Sequence, residues 1–325
     1  MTTGMRRLWF TVCCAALFVF VTNVEPVAHY MESVKNRETI PASAPHDEKD
    51  ELLAKIEQWK AGKEEQPVDA RVDRIWKAIP GYNGRKVDVE ATLAKMKAAK
   101  TPGPEHLVFR EVPPAVSLEQ LGAHPIYRGN PKKPAISFMV NVAWGNEYLD
   151  PILNTFDRHQ VKTTFFLDGS WVKKNPEDAK KIASRGHEIG NHAYSHPDMK
   201  TLGAARIHQE INRTQAVIRD TIGVTPRLFA PPSGSFRQQV VEIASDSYQM
   251  QTILWTADTI DWQNPSPSQV ISRVSKKLDN GVLVLMHPTS ATAGSLDQLL
   301  TIAKQKGLVP TTVSQVISSS RLTAH

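Results

Sequence analysis

His192 and His196 stand four residues apart in the run Asn191-His192-Ala193-Tyr194-Ser195-His196-Pro197. On a helical turn that spacing brings both imidazoles to one side, within reach of a single divalent cation. Surface or capping histidines share the spacing by chance, but here Gly186-His187-Glu188-Ile189-Gly190-Asn191 leads directly into the pair. His287 closes the apolar run Leu283-Val284-Leu285-Met286. It reads either as a satisfied core histidine or as a general acid. Asp261 is its candidate partner, because a carboxylate bonded to one ring nitrogen steadies the imidazolium. Trp144, Trp171, Trp255 and Trp262 fall in the same half of the chain, where indoles either stack on sugar rings or fill a core.

Apolar runs of strand length alternate with helical segments from residue 135 onward. The expected strands are Ala135–Val142, Lys162–Leu167, His187–Gly190, Arg227–Ala230, Met250–Trp255, Val282–Met286 and Leu308–Thr312. The expected helices lie near 148–158, 176–185, 203–222, 236–247, 267–279 and 295–306. Such alternation predicts a parallel sheet flanked by helices, as a closed barrel or an open doubly wound sheet. Each chemically suggestive residue then follows a strand: Asn141 and Trp144 the first, the histidine pair the third, Pro231 and Pro232 the fourth, Asp261 and Trp262 the fifth, His287 the sixth. The carboxyl ends of parallel strands are where α/β proteins build sites. No Gly-x-Gly-x-x-Gly follows the first strand, which argues against a dinucleotide fold.

The 325 residues suit one large or two modest domains. With 41% apolar and 22% charged residues, the composition is globular. The net charge of +6 suits an anionic surface such as a cell wall and is too mild to argue for nucleic acid. Its two cysteines, Cys13 and Cys14, are adjacent in the first apolar run, which excludes a disulfide framework and a cysteine metal site. Arg6 and Arg7 before that run give residues 1–22 the grammar of an export signal or an uncleaved signal anchor, a buried amino-terminal helix being the alternative. Residues 23–45 read as a linker. A small α/β module is expected over 46–130, with helices at 47–60 and around Val89, Leu93 and Met96, and a strand at 107–112. The main domain is expected over 131–325.

These motifs together resemble the polysaccharide deacetylase family (the NodB homology domain, carbohydrate esterase family 4). The residues that carry the resemblance are Val161-Lys162-Thr163-Thr164-Phe165-Phe166, the run from Gly186 to Pro197, Trp255-Thr256-Ala257-Asp258-Thr259-Ile260-Asp261-Trp262 and Leu285-Met286-His287. Asn141-Val142-Ala143-Trp144-Gly145-Asn146-Glu147-Tyr148 with Ala230-Pro231-Pro232-Ser233-Gly234-Ser235-Phe236 looks like the sporulation-associated YlxY-type branch. The resemblance implies a distorted (β/α)7 TIM-like barrel. It also implies hydrolysis of the acetamide C–N bond of N-acetylated peptidoglycan or chitin-like glycan outside the cytoplasm, assisted by zinc or another divalent metal. Carried over, His192 and His196 match metal ligands, His287 the acid and Asp261 its partner, with Trp262, Pro231, Pro232 and Trp144 around the substrate.

The first motif departs from the family's Thr-Phe-Asp-Asp. Asn141 stands at the base position, where an amide cannot take a proton, and Val142 stands at the third-ligand position with no ligand atom. Ala230 replaces the arginine of Arg-Pro-Pro-Tyr-Gly. The losses are coherent, since an arginine facing no carboxylate would be an unpaired buried charge. A catalytic zinc takes three protein ligands, and losing a general base costs about 10²–10⁴ in rate. The substitutions therefore leave three readings open, a deacetylase with altered chemistry, a pseudoenzyme that binds glycan without turnover, and a structural protein of the sporulating cell envelope. Among nearby acids, Glu147, Asp150, Asp168 and Asp198, the placement of Asp168 after the second strand best suits a substitute ligand.

Overall fold

The computed structural model describes residues 48–99 and 101–322, with residues 29, 30, 32 and 35. The proposed export segment and most of the linker lie outside these residues. The described chain falls into two compact units: residues up to Trp59 with Val89–His106, and Lys60–Asp88 with everything from Leu107 on. The first holds helices α1 (Glu48–Lys60) and α2 (Val89–Ala98). Acids Glu48, Asp50 and Glu51 open α1, where the helix dipole favours them, and Leu52 and Ile56 form its buried stripe.

The second unit begins with two antiparallel pairs. β1 (Arg71–Asp73) pairs with β2 (Lys77–Ile79), and β3 (Gly84–Val87) pairs with β4 (Phe109–Val112). Only β4 is foreseen by its sequence. The others are three or four residues long, and Arg71-Val72-Asp73 shows no apolar alternation because it is largely exposed.

Among the described residues eight further strands are parallel: β5 (Ala135–Val142), β6 (Thr164–Leu167), β7 (Glu188–Asn191), β8 (Leu228–Phe229), β9 (Gln251–Thr252), β10 (Ala257–Asp258), β11 (Leu283–Met286) and β12 (Val309–Pro310). Their order is β10-β11-β5-β6-β7-β8-β9, with β12 beside β5. Residues 126–129 run between the end of β9 and the start of β11. The Ile126 amide donates to Thr252 O, Leu254 N donates to Ile126 O, and Gly129 N donates to Gly281 O. The result is the expected distorted barrel of parallel strands.

The surrounding helices are α3 (Leu149–Arg158), α4 (Gly169–Lys174), α5 (Pro176–Ser184), α6 (Ala204–Ile222), α7 (Gln238–Glu242, running into a π-helical turn at Ile243–Ser247), α8 (Pro267–Ser275), α9 (Ser290–Gln305) and α10 (Val313–Ile317). Among the described residues no helix is long and apolar enough to cross a membrane. The period of two along β5 divides its side chains. Phe138, Val140 and Val142 pack outward with Leu149, Phe156 and Trp171. Ala135 and Met139 pack inward with Phe166 and Leu285. Asn141 shares the inward parity, at the carboxyl end of the strand.

Candidate functional site

β11 and the loop after β10 bring His287 and Asp261 together. Nδ1–H of His287 donates to Asp261 Oδ1 at 2.8 Å, and the His287 amide donates to Oδ2 at 2.6 Å. Thr292, in the first turn of α9, donates its hydroxyl to the same Oδ2 at 2.5 Å. Burial alone would push the Asp261 carboxyl up, but the hydrogen bonds and charge of His287, with the Thr292 hydroxyl, bring it below the usual carboxylate range. The backbone is strained here: Ile260, a β-branched residue, sits at φ 51°, its amide held by Asp258 Oδ1 at 2.8 Å.

The loop after β7 places the other two histidines, with ring centroids 5.1 Å apart. His192 is buried, and its Nδ1 lies 2.7 Å from Ala230 O, so Nδ1 carries the proton and Nε2 keeps its lone pair. Burial first, then the neighbouring histidines, pull His192 down to about 3. His196 is also lowered by burial, partly countered by Asp168. The loop hangs on Glu210, which is fully buried on α6. Its carboxylate accepts from Tyr194 N and Ser195 N at 2.8 Å and from the Ser195 hydroxyl at 2.9 Å, and it pairs with Arg206 at 2.7 Å. The sequence reading passes over Glu210 and Thr292. The signal for Glu210 was an acid among Ile207, Ile211 and Ile218 on the apolar face of α6, which needs a buried partner.

Trp144 joins the two flanks. Its ring stacks on His287 at 5.2 Å and 17°, and meets His196 edge-on at 6.4 Å. Trp262 stands 55% exposed on the rim, free for a ligand face. Pro231 and Pro232 are both buried beneath the rim. Of the other tryptophans, Trp171 is core, with its indole N–H on Asn146 Oδ1 at 2.9 Å, and Trp255 packs against the barrel interior.

Asn141, expected at the base position, is 3% exposed, and its Oδ1 has no hydrogen-bond partner among the described residues. Val142 is fully buried in the outward core. Of the spare acids, Asp150 pairs with Lys181, Asp198 accepts from Ser235, and Asp168 caps α4 through Oδ1 while its buried Oδ2 has no hydrogen-bond partner among the described residues. Among the described residues no three His, Cys, Asp or Glu side chains are arranged to hold a metal. The residues present thus do not fit a catalytic divalent cation, since two imidazoles stand where three ligands are needed.

A parallel barrel with a histidine–aspartate pair and a histidine couple on its carboxyl rim defines the class. The polysaccharide deacetylase family model matches residues 128–251. YlxY of Bacillus subtilis (strain 168), described as uncharacterized, is 47% identical over 312 residues, 94% of this chain and 96% of that protein. The crystal structure of BA3943, a carbohydrate esterase family 4 pseudoenzyme from Bacillus anthracis, superposes with a TM-score of 0.78 at 46% identity, over 83% of this chain and 96% of that one. A BA3943 mutant described as having restored enzymatic activity matches at 45% identity and the same TM-score, 0.78, over 83% of this chain and 99% of that one. The peptidoglycan-N-acetylglucosamine deacetylase PgdA of Listeria monocytogenes (strain EGD-e) is 34% identical over 166 residues, 51% of this chain and 35% of that protein. The chain belongs to the polysaccharide deacetylase family, carbohydrate esterase family 4.

Proposed function

We propose that this protein binds N-acetylated wall glycan in the family's cleft outside the cytoplasm without hydrolysing it at the family's rate. One observation carries the reading: the proton-donating pair His287–Asp261 is complete, while the opposite position offers only the amide of Asn141 and the buried methyls of Val142. A reaction that deprotonates water on one side and protonates an amine on the other has lost its first half. Trp144 and Trp262 retain indole faces suited to pyranose rings. His192 and His196 are read as the counterparts of the family's metal ligands. The basic-apolar segment at residues 6–21 is proposed as an export signal or membrane anchor that puts the cleft against peptidoglycan, with the sporulating cell envelope as its setting.

The test pairs two measurements. The full chain should pull down with peptidoglycan and release no acetate from it under a range of added divalent cations. Asn141→Asp with Val142→Asp should release acetate, more strongly with Ala230→Arg added. Acetate release by the unaltered chain, or failure to bind any wall polymer, would overturn the reading.

A further inference from the structure

The hairpin of β1 and β2 turns through Arg74-Ile75-Trp76, where turn chemistry ordinarily favours glycine, asparagine or serine. The turn is held in one shape. Asp73 Oδ1 accepts from Ile75 N at 2.8 Å and Trp76 N at 2.9 Å, and Lys77 Nζ donates to Arg74 O at 3.2 Å. Built this way, it keeps apolar groups in water. Val72 is 50% and Ile75 61% exposed, and half-buried Trp76 meets Tyr127 edge-on at 6.1 Å. Single exposed aliphatic side chains are ordinary on any surface, but two on one hairpin beside an indole and a phenol form a patch.

Cations surround the patch. The hairpin carries Arg71, Arg74 and Lys77 against one acid, Asp73, which leaves two positive charges in excess. The Asp73 carboxylate is turned onto the Trp76 and Ile75 amides, which hold it below the usual carboxylate range with help from Arg71 and Arg74. Arg128, next to Tyr127, adds a further cation whose charge Asp279 offsets. An apolar tip within excess positive charge matches the surface of an anionic bilayer. There aliphatic groups enter the acyl boundary, tryptophan and tyrosine settle among the headgroups, and arginines and lysines meet acidic lipid. A protein partner matches less well. A specific interface takes about 800 Å² from each side, and two part-exposed aliphatic side chains with two ring edges supply only a fraction of that. We infer that the β1–β2 hairpin docks this protein on anionic lipid, with Val72 and Ile75 entering the bilayer and Arg71, Arg74 and Lys77 on the acidic headgroups. This goes beyond the glycan-binding reading and does not depend on it.

The test puts a nitroxide on the full chain carrying Cys13→Ser, Cys14→Ser and Val72→Cys. Spin resonance then reads its depth from collisions with dissolved oxygen and with a water-soluble nickel chelate. A label at position 72 reports the hairpin alone, however residues 1–22 attach. On vesicles of phosphatidylglycerol and phosphatidylcholine in equal parts the label should become shielded from nickel and open to oxygen. On phosphatidylcholine alone it should stay open to nickel. Arg71→Gln and Arg74→Gln should each lower the ratio of buried to free label about fivefold on the acidic vesicles, and Ile75→Asp should abolish burial. A label carried instead by Glu177→Cys, on the exposed side of α5, should stay open to nickel throughout. Nickel reaching the label at 72 on acidic vesicles overturns the inference. Equal burial on both kinds of vesicle, or burial of the Glu177→Cys label as well, overturns the anionic-lipid assignment. Immobilisation without vesicles that grows with protein concentration, or that follows added peptidoglycan, would show that a second copy or the wall covers the hairpin, and overturns it too. Acetate release and peptidoglycan pull-down enter none of these outcomes, so the glycan-binding reading stands or falls apart from them.

Discussion

On one flank of the cleft Asp261 accepts three hydrogen bonds, from the His287 ring, the His287 amide and the Thr292 hydroxyl. On the other, Asn141 Oδ1 and Asp168 Oδ2 lie buried with no partner among the described residues. Both flankings occupy the carboxyl ends of neighbouring strands of one sheet, so the difference is not one of fold. The first flank is satisfied by the chain itself. The second, in the family pattern, is satisfied partly from outside, by a metal that pairs with acid side chains. In this chain the flank of Asp261 has its bonds made internally, while the flank of Asn141 keeps buried polar atoms without partners. The same β5 then turns Val142 over to the outward core, where it serves packing.

The contrast is most exposed to Asp261→Ala. The change leaves the Thr292 hydroxyl and the His287 amide without an acceptor in a dry site and should cost about 3–5 kcal/mol of stability by urea denaturation. A loss under about 1 kcal/mol would mean that the acid flank is as loosely held as its neighbour.

Acid titration is the next largest lever. His192 is held to about 3 and His187, in the core between Phe156 and Phe165, to about 4, by burial in both cases, against 6.5 for the free group. A depressed folded value means that stability is complete above 6.5 and is lost as pH falls toward the folded values. Two such groups should cost about 2 kcal/mol between pH 6.5 and 5.5, and His192→Gln should roughly halve that slope. A flat wild-type profile would show that both imidazoles charge inside the fold.

The sequence discloses these flanks unequally. β11 is legible as an unbroken apolar run, and β5 as one interrupted only by Ser137 and Asn141, because both their faces are buried. β10 is two residues, Ala257 and Asp258, and no periodicity can mark it. α4 opens on Gly169-Ser170 and runs six residues, too short for a repeat, and its start is fixed by Asp168 capping Trp171 N. α9 begins at Ser290, ahead of the expected 295, because Thr289 caps a first turn of small residues that carries no apolar signal. The histidines, Asp261 and the lost acids are readable from residue types. The stacking of Trp144 across both histidines is not, since it depends on the left-handed turn at Gly145, φ 83°, where a Cβ would lie 2.0 Å from Pro288 O.

Asp168→Asn gives the smallest effect, with the opposite sign to Asp261→Ala. Asp168 caps α4 through Oδ1, which accepts from Trp171 N at 2.9 Å and the Ser170 hydroxyl at 2.6 Å, and an asparagine oxygen can keep both. What it gives up is the charge. Burial raises the Asp168 carboxyl above its ordinary value, against the pull of those hydrogen bonds and of His196. A raised folded value favours the fold below about 3.8 and disfavours it as pH rises through the folded value, so at pH 7 the ionised group is a net cost. Asparagine should therefore stabilise the fold at pH 7 and lose that advantage at pH 3, read from urea midpoints at the two values. Destabilisation at pH 7 would show that Oδ2 has a partner in solution, such as a bound cation, and the metal flank would then have to be counted as a working half of the site.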